Sequence, residues 1–348
     1  MNAQRDSASV PVSSWRSARL FVTDEFAAPP VILRVDDSVI GTLGNFSAST
    51  GKAKSKKTFN VCAIVAAAMT GGTVLNYSAS LPPERRRILY VDTEQSRFHC
   101  KRVLCRILRL AGLPTDVHPP LLEFLCLRGY ATRERLRKIE EAIYDLDDLG
   151  LVVIDGIRDL AHDINSPGEA TDLITKLMQW TDERRIHIHT VLHLNKGDDN
   201  TRGHLGTELN NKAETVLQIT KDDFDRDISS VAAMHIRDRD FEPFAFRINA
   251  DALPEQVEDY QLRQTTAAKS FDYAEVCEAK HREALELLFS KADRVSYSSL
   301  IGRLQSSYAA IGHSFGINKA KQLKVFLENK RMIVKEDKFY RYNPDFHY

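Results

Sequence analysis

The sequence predicts an α/β protein, with a mostly parallel sheet and added antiparallel strands over residues 31–250 and a winged-helix domain over residues 271–348. Three observations carry this. Short apolar runs alternate with helical patterns from Val31 to Ala250, the rhythm of β–α–β units with right-handed crossovers. Leu151–Asp155 (LVVID) is a continuous apolar strand, as in parallel sheets covered on both faces. After Phe271, three helical stretches precede two short strands, which is the winged-helix order.

The elements follow in chain order. Residues 1–30 hold Ser, Ala and Pro with weak periodicity and read as an N-terminal arm. Gly41–Thr50 is an extended run ending in small residues. Thr58–Thr70 is rich in Ala and aliphatics at helical spacing and closes on Gly71-Gly72, a C-cap signal. Arg87–Asp92 reads as a strand, Ser96–Gly112 as a helix, Leu122–Leu127 as a strand and Thr132–Leu146 as a charged amphipathic helix. The LVVID strand, a helix over Gly168–Asp182 and a strand over Ile186–Leu194 complete the alternation. The extended runs Thr215–Thr220, Ser229–Ile236 and Pro243–Ile248 have no helices between them and read as the added antiparallel strands. Residues 251–270 are polar and read as a linker. The last domain is expected as helices over Glu278–Ser290, Tyr297–Gln305 and Asn318–Asn329, then strands Met332–Lys335 and Phe339–Tyr342.

The 348 residues suffice for two domains. With 48 basic and 48 acidic residues the formal net charge is zero, so any nucleic-acid binding must come from local patches. The five cysteines, Cys62, Cys100, Cys105, Cys126 and Cys277, lack metal-type spacing and read as reduced core residues of a cytoplasmic protein. No apolar run is long enough for a membrane span, and the N-terminus has no signal-peptide pattern.

The chemistry concentrates first at Gly51-Lys52-Ala53-Lys54-Ser55-Lys56-Lys57-Thr58. This matches G-x-x-x-x-G-K-[ST] except that Lys56 replaces the second glycine. In such a loop the backbone N–H groups of residues such as Lys54, Ser55 and Lys56 curl around a phosphate. Lys57 reaches the β- and γ-phosphates of ATP, and the Thr58 hydroxyl ligates Mg²⁺. A lysine- and glycine-rich stretch is also what a solvated turn looks like; the strand before it and the helix after it favour the phosphate loop. Asp155, ending its strand, is a candidate to hold Mg²⁺ through water. A turn or N-cap aspartate gives the same local pattern, and the order of elements decides between them. Glu94 follows the Arg87–Asp92 strand, expected beside the loop strand, where a carboxylate could polarise an attacking water.

Taken in order, these motifs resemble the RecA-fold P-loop ATPases and, within them, the plasmid RepA-type and DnaB-type hexameric helicases. The resemblance covers roughly residues 40–250 and implies a RecA-like core. It implies Glu94 as catalytic base and Asp155 as the second nucleotide motif. It also implies His193 or Asn195, in Thr190–Lys196, as the γ-phosphate sensor. Arg237 and Arg239, in Ile236–Asp240 before Pro243, match the basic strand end that enters a neighbouring subunit's ATP site. The loop over 196–206 would face the pore of a ring, with Lys196, Arg202 and His204 on single-stranded DNA; an ordinary surface loop has the same composition. Residues 317–341 hold eight lysines and arginines, among them Lys319, Lys321 and Lys324, against three acidic residues. That excess suits double-stranded DNA at a winged helix, or else a solvated face or protein contacts. The expectation is an ATP-dependent DNA motor, a homo-oligomer and most simply a hexamer, in replication or mobilisation of a plasmid or integrated element. A primase or other replication proteins are open as partners. A recombination or repair ATPase without unwinding, and a winged-helix regulator on a P-loop scaffold, are the rival readings.

Overall fold

The computed structural model describes residues 15–194, 203–222, 225–258, 260, 273 and 276–346, and the architecture is that of these residues. The chain divides into two compact units, Met1–Leu262 and Arg263–Tyr348.

The first unit opens with β1 (Val31–Val35) and β2 (Ser38–Thr42), then β3 (Phe46–Gly51), α1 (Lys57–Thr70), β4 (Thr73–Val74) and β5 (Tyr77–Ala79). It continues through β6 (Arg87–Asp92), α2 (Arg97–Leu110), β7 (Leu122–Cys126), α3 (Thr132–Asp145), β8 (Leu149–Asp155), α4 (Pro167–Arg184) and β9 (His187–His193). It closes with α5 (Gly203–Lys212), β10 (Thr215–Lys221), β11 (Ile228–Ile236), β12 (Phe244–Ile248) and β13 (Pro254–Val257). Among the described residues the main sheet runs β13-β12-β11-β10-β3-β9-β8-β6-β7. The six strands from β10 to β7 are mutually parallel. β11, β12 and β13 continue the sheet antiparallel.

Period-2 alternation splits the strand side chains between two cores. Ile88 and Tyr90 of β6 and Leu151 and Val153 of β8 face one core with α1 and α2. Leu89, Val91, Val152 and Ile154 face the other, filled by Ile139, Ile174, Trp180 and Leu209 from α3, α4 and α5. This is a parallel sheet covered on both faces, as the apolar strands require. α1 is buried almost all round, from Val61 to Met69. Its second neighbour is a small sheet, β2-β1-β5-β4, which contributes Leu33, Val35 and Tyr77 to the same core. A helix apolar on every side needs such double cover. Gly71 ends α1 in the left-handed conformation, φ 62°, and its N–H bonds Ala67 O, as the Gly-Gly signal predicts.

Two expectations are corrected. Gly41–Thr50 is not one extended run. The chain turns at Gly44, φ 88°, so β2 joins the small sheet and β3 the main one. The predicted linker begins too early, because Asn249 Oδ1 accepts from Asp251 N and Leu253 N and folds Pro254–Val257 back onto β12 as β13.

The second unit contains α6 (Glu278–Phe289), β14 (Val295–Ser296), α7 (Tyr297–Ala310), α8 (Ile317–Asn329), β15 (Ile333–Glu336) and β16 (Phe339–Tyr342). Its sheet order is β14-β16-β15. Leu285, Leu300, Leu304, Leu323 and Tyr340 share its core. Three helices thus precede the hairpin, and the short β14 between α6 and α7 adds a strand the sequence did not signal.

Candidate phosphate-binding site

β3 delivers Gly51 to the start of the loop. A Cβ there would lie 2.3 Å from Ile219 O and 2.5 Å from Ser55 Oγ, so glycine is required by space. Lys54 and Lys56 are both left-handed, φ 66° and 67°. Such turns aim successive N–H groups into one concavity, the geometry of an anion nest. Lys57, 5% exposed, donates from Nζ to Gly51 O at 2.8 Å and to Lys52 O at 2.9 Å. Burial pulls its ammonium down to about 8, against the pull of Asp155 and Glu94. Ser55 Oγ is buried and has no partner among the described residues.

Thr58 Oγ1 donates to Asp155 Oδ2 at 2.8 Å, and Tyr90 OH donates to the same oxygen at 3.0 Å. Burial, and then the charge of Asp92, push the Asp155 carboxyl up to about 6. β9 and β8 lie between β3 and β6, so the strand carrying Glu94 is not the neighbour of the loop strand expected from sequence. Glu94 still reaches the cleft because Asp92 Oδ1 accepts the N–H groups of Glu94, at 3.0 Å, and Gln95, at 2.7 Å, turning the chain back across the strand ends. Glu94 Oε1 lies 3.5 Å from His193 Nε2, the end residue of β9. That contact, more than any other, holds the glutamate below the usual carboxylate range. His193 Nδ1 is buried without a partner among the described residues. Gly156, φ 107°, lets Asp155 and Thr93 approach, since a Cβ there would sit 2.2 Å from Thr93 Oγ1.

The loop, Asp155, Glu94 and His193 line one cleft of about 380 Å³. Sequence reasoning missed its other wall. α2 carries Arg97, Lys101, Arg102, Arg106 and Arg109 and no acidic residue. Arg102 and Arg106 line the cleft, and the Arg106 guanidinium stacks 3.7 Å over Phe59. A second cleft of about 530 Å³ runs on along α2 to Asp251–Leu253. A helix with five cations and no anion was the available signal. Tyr90 gave none, because an apolar strand normally buries its tyrosine.

Other sequence candidates lie elsewhere. Arg237 N donates to Glu214 O at 3.1 Å, and Arg237 Nη2 to Lys212 O at 3.0 Å. Both groups sit where β11 ends opposite the start of β10, Ile236 against Thr215, while the phosphate loop leaves the other end of β3. Arg239 is exposed beside Asp238, whose carboxylate accepts Val39 N at 2.8 Å. Neither arginine lines the cleft of its own chain. His204 is exposed at the first turn of α5. Asn195, Lys196 and Arg202 lie outside the described residues. On α8, Lys321 is exposed and Lys319 stands 4.9 Å over the Tyr273 ring. Lys324 is ion-paired with Glu328 and stands over the Tyr340 ring, so its cation is already engaged.

The AAA domain family matches residues 16–199, more than half of the chain. The chain belongs to this family. The matched AAA domain takes in the phosphate loop, Glu94, Asp155 and His193, and stops before β10. In the sheet, β9 is inserted between the loop strand and the Asp155 strand. Among solved structures, a RadB recombinase aligns at 15% identity and TM-score 0.44, over 62% of this chain and 92% of its own. A KaiC-like protein from Pyrococcus horikoshii OT3 aligns at 13% identity and TM-score 0.43, over 62% of this chain and 90% of its own. No curated protein matches the chain. Among the described residues, no helix is long and apolar enough to cross a membrane.

Proposed function

We propose that this AAA-family chain hydrolyses ATP in the cleft beside α1 and works on DNA as a homo-oligomeric motor, a hexamer in its simplest form. The observation that carries the reading is the meeting of Lys57, Thr58, Asp155 and Glu94 in one cleft. The residues fit a nucleotide. Ser55 Oγ is a buried polar atom with no partner among the described residues, at the lining of the cleft. Two left-handed residues shape the nest, and Lys57 supplies the buried positive charge.

Thr58 and Asp155 would hold Mg²⁺, a hydroxyl and a carboxylate already in contact. Bound there, Mg²⁺ supplies charge that offsets the build-up on the phosphoryl oxygens. Glu94 is the proton acceptor for water. His193 keeps it ionised and orients it, and Asp92 fixes the backbone that carries it. Arg237 and Arg239, at the strand ends opposite their own phosphate loop, would complete a neighbour's site. The nucleoside would lie along the basic face of α2. His204, with Lys196 and Arg202, is the proposed single-strand contact. Lys319 and Lys321 on α8 are the proposed duplex contact, with Lys324 supporting the α8 face. Replication or mobilisation of a plasmid or integrated element is the role proposed for such a motor, with a primase or other replication protein as candidate partner.

The test is ATP turnover with and without single-stranded DNA, alongside particle mass by light scattering. DNA-stimulated turnover by an oligomer is expected. DNA binding without turnover would instead support the regulator reading, and turnover by a filament that unwinds nothing the recombination reading.

A further inference from the structure

Lys56 stands where the phosphate-loop pattern has its second glycine, and its backbone keeps the glycine-like conformation, φ 67°. Such a conformation disfavours any side chain. The side chain that is nevertheless there has a specific destination. Lys56 Nζ donates to Asp227 O at 2.5 Å, in the turn that joins β10 to β11. That turn is held by its own aspartates. Asp225 N donates to Asp222 Oδ1 and Asp227 N to Asp225 Oδ1, both at 2.9 Å, and Ile228 N donates to Asp225 O at 3.0 Å. Burial, and then the charge of Lys221, disfavour the ammonium there, and Asp227 and Asp225 attract it. The same hairpin grips the loop at its other end, where Ile219 O closes on Gly51 so tightly that no Cβ fits. β11 runs from this turn to Ile236, just before Arg237.

We propose that Lys56 is a positioning residue that ties the phosphate loop to the β10–β11 turn, so that phosphates filling the loop are registered at the turn. Lys57 Nζ rests on Gly51 O and Lys52 O and has a third N–H to offer a phosphate. Lys56 lines the same cleft and is joined to Lys57 by one peptide bond, so phosphates that order the loop also order the backbone from which the Lys56 side chain reaches Asp227. The part played by phosphates rests on the nucleotide reading above; the tie itself does not.

The test uses the full chain, its Lys56→Gly and Lys56→Arg variants, and ADP as probe. Glycine suits the left-handed backbone, so loss of folding is not expected. Without nucleotide, the amides of Asp227 and Ile228 should exchange roughly five- to tenfold faster in Lys56→Gly, the loss of one hydrogen bond. ADP affinity is titrated alongside, since Lys56→Gly keeps the backbone N–H of residue 56 and removes only its side chain. ADP should slow exchange at the turn in the wild type but not in Lys56→Gly, and Lys56→Arg should restore both behaviours. Unchanged exchange of the empty Lys56→Gly protein overturns the tie. A tenfold or greater loss of ADP affinity with the turn unaffected makes Lys56 a phosphate ligand instead. A wild type that does not bind ADP overturns the nucleotide reading, and exchange in the empty protein then decides the tie alone.

Discussion

Lys56 and Lys57 are neighbours with opposite surroundings, and that contrast is testable. Lys57 is buried among carbonyls and carboxylates, whereas Lys56 reaches outward to the hairpin. Lys57→Ala should abolish ATP hydrolysis and strongly weaken binding, since a desolvated polyphosphate loses its main counter-charge. Lys56→Ala should be much milder. Equal losses, read by nucleotide titration and turnover, would put the phosphate lysine at the wrong position. Glu94→Gln keeps the side-chain size and removes the proton acceptor. Binding should persist while turnover falls roughly 10²-fold or more. Normal turnover in that variant would remove Glu94 from the chemistry.

At the scale of the elements, β3 and β9 are joined by a buried polar chain as well as by their ladder. His187 Nδ1 lies 2.9 Å from Thr42 O, and a carbonyl only accepts, so Nδ1 carries the proton. His187 Nε2 then accepts from the Ser47 hydroxyl at 2.7 Å. Ser47 Oγ accepts from His189 Nδ1, and His189 Nε2 accepts from the Ser49 hydroxyl, each at 2.8 Å. Burial keeps both imidazoles neutral in this chain, pushing them down from 6.5 to about 4 for His187 and about 3 for His189. The unfolded chain therefore binds more protons below 6.5. Their contribution to stability is complete above that pH and is lost as pH falls toward about 4 and then about 3. Melting midpoints measured from pH 7 downward should fall with this slope, and a His187→Gln/His189→Gln variant should show a shallower one. Parallel curves would mean that the histidines are not neutral partners in the folded sheet.

For the whole molecule, the separation of Arg237 and Arg239 from their own phosphate loop has a direct consequence. If they only formed surface ion pairs, their loss would change stability by about 1 kcal/mol or less and leave turnover intact. If one completes a neighbour's site, Arg237→Ala/Arg239→Ala should lower hydrolysis roughly 10³-fold while nucleotide still binds. Mixing that variant with Lys57→Ala should recover part of the turnover, because some interfaces then combine an intact loop with intact arginines. A mixture that co-assembles and stays inactive would reject a shared site. A protein that remains monomeric with ATP and DNA would reject the motor.

Local pattern alone was enough for the loop and helix around Lys57, the buried strand ending in Asp155, the strand that Glu94 follows and the Gly71 cap. Each is encoded by residues close in the chain, through backbone preference and apolar periodicity. Contacts between distant residues were decided by the tertiary structure. Thr58 meets Asp155 and Tyr90 joins them, but only because β9 inserts between β3 and β8 and leaves β6 beyond it. His193 reaches Glu94 for the same reason. The basic wall of α2, the engagement of Lys324 by Glu328 and the reach of Lys56 to Asp227 likewise depend on which elements pack side by side. Spacing along a chain sets the conformation of a segment. Which side chains share a cleft is set by strand order, and strand order follows from the burial of whole faces rather than from any one motif.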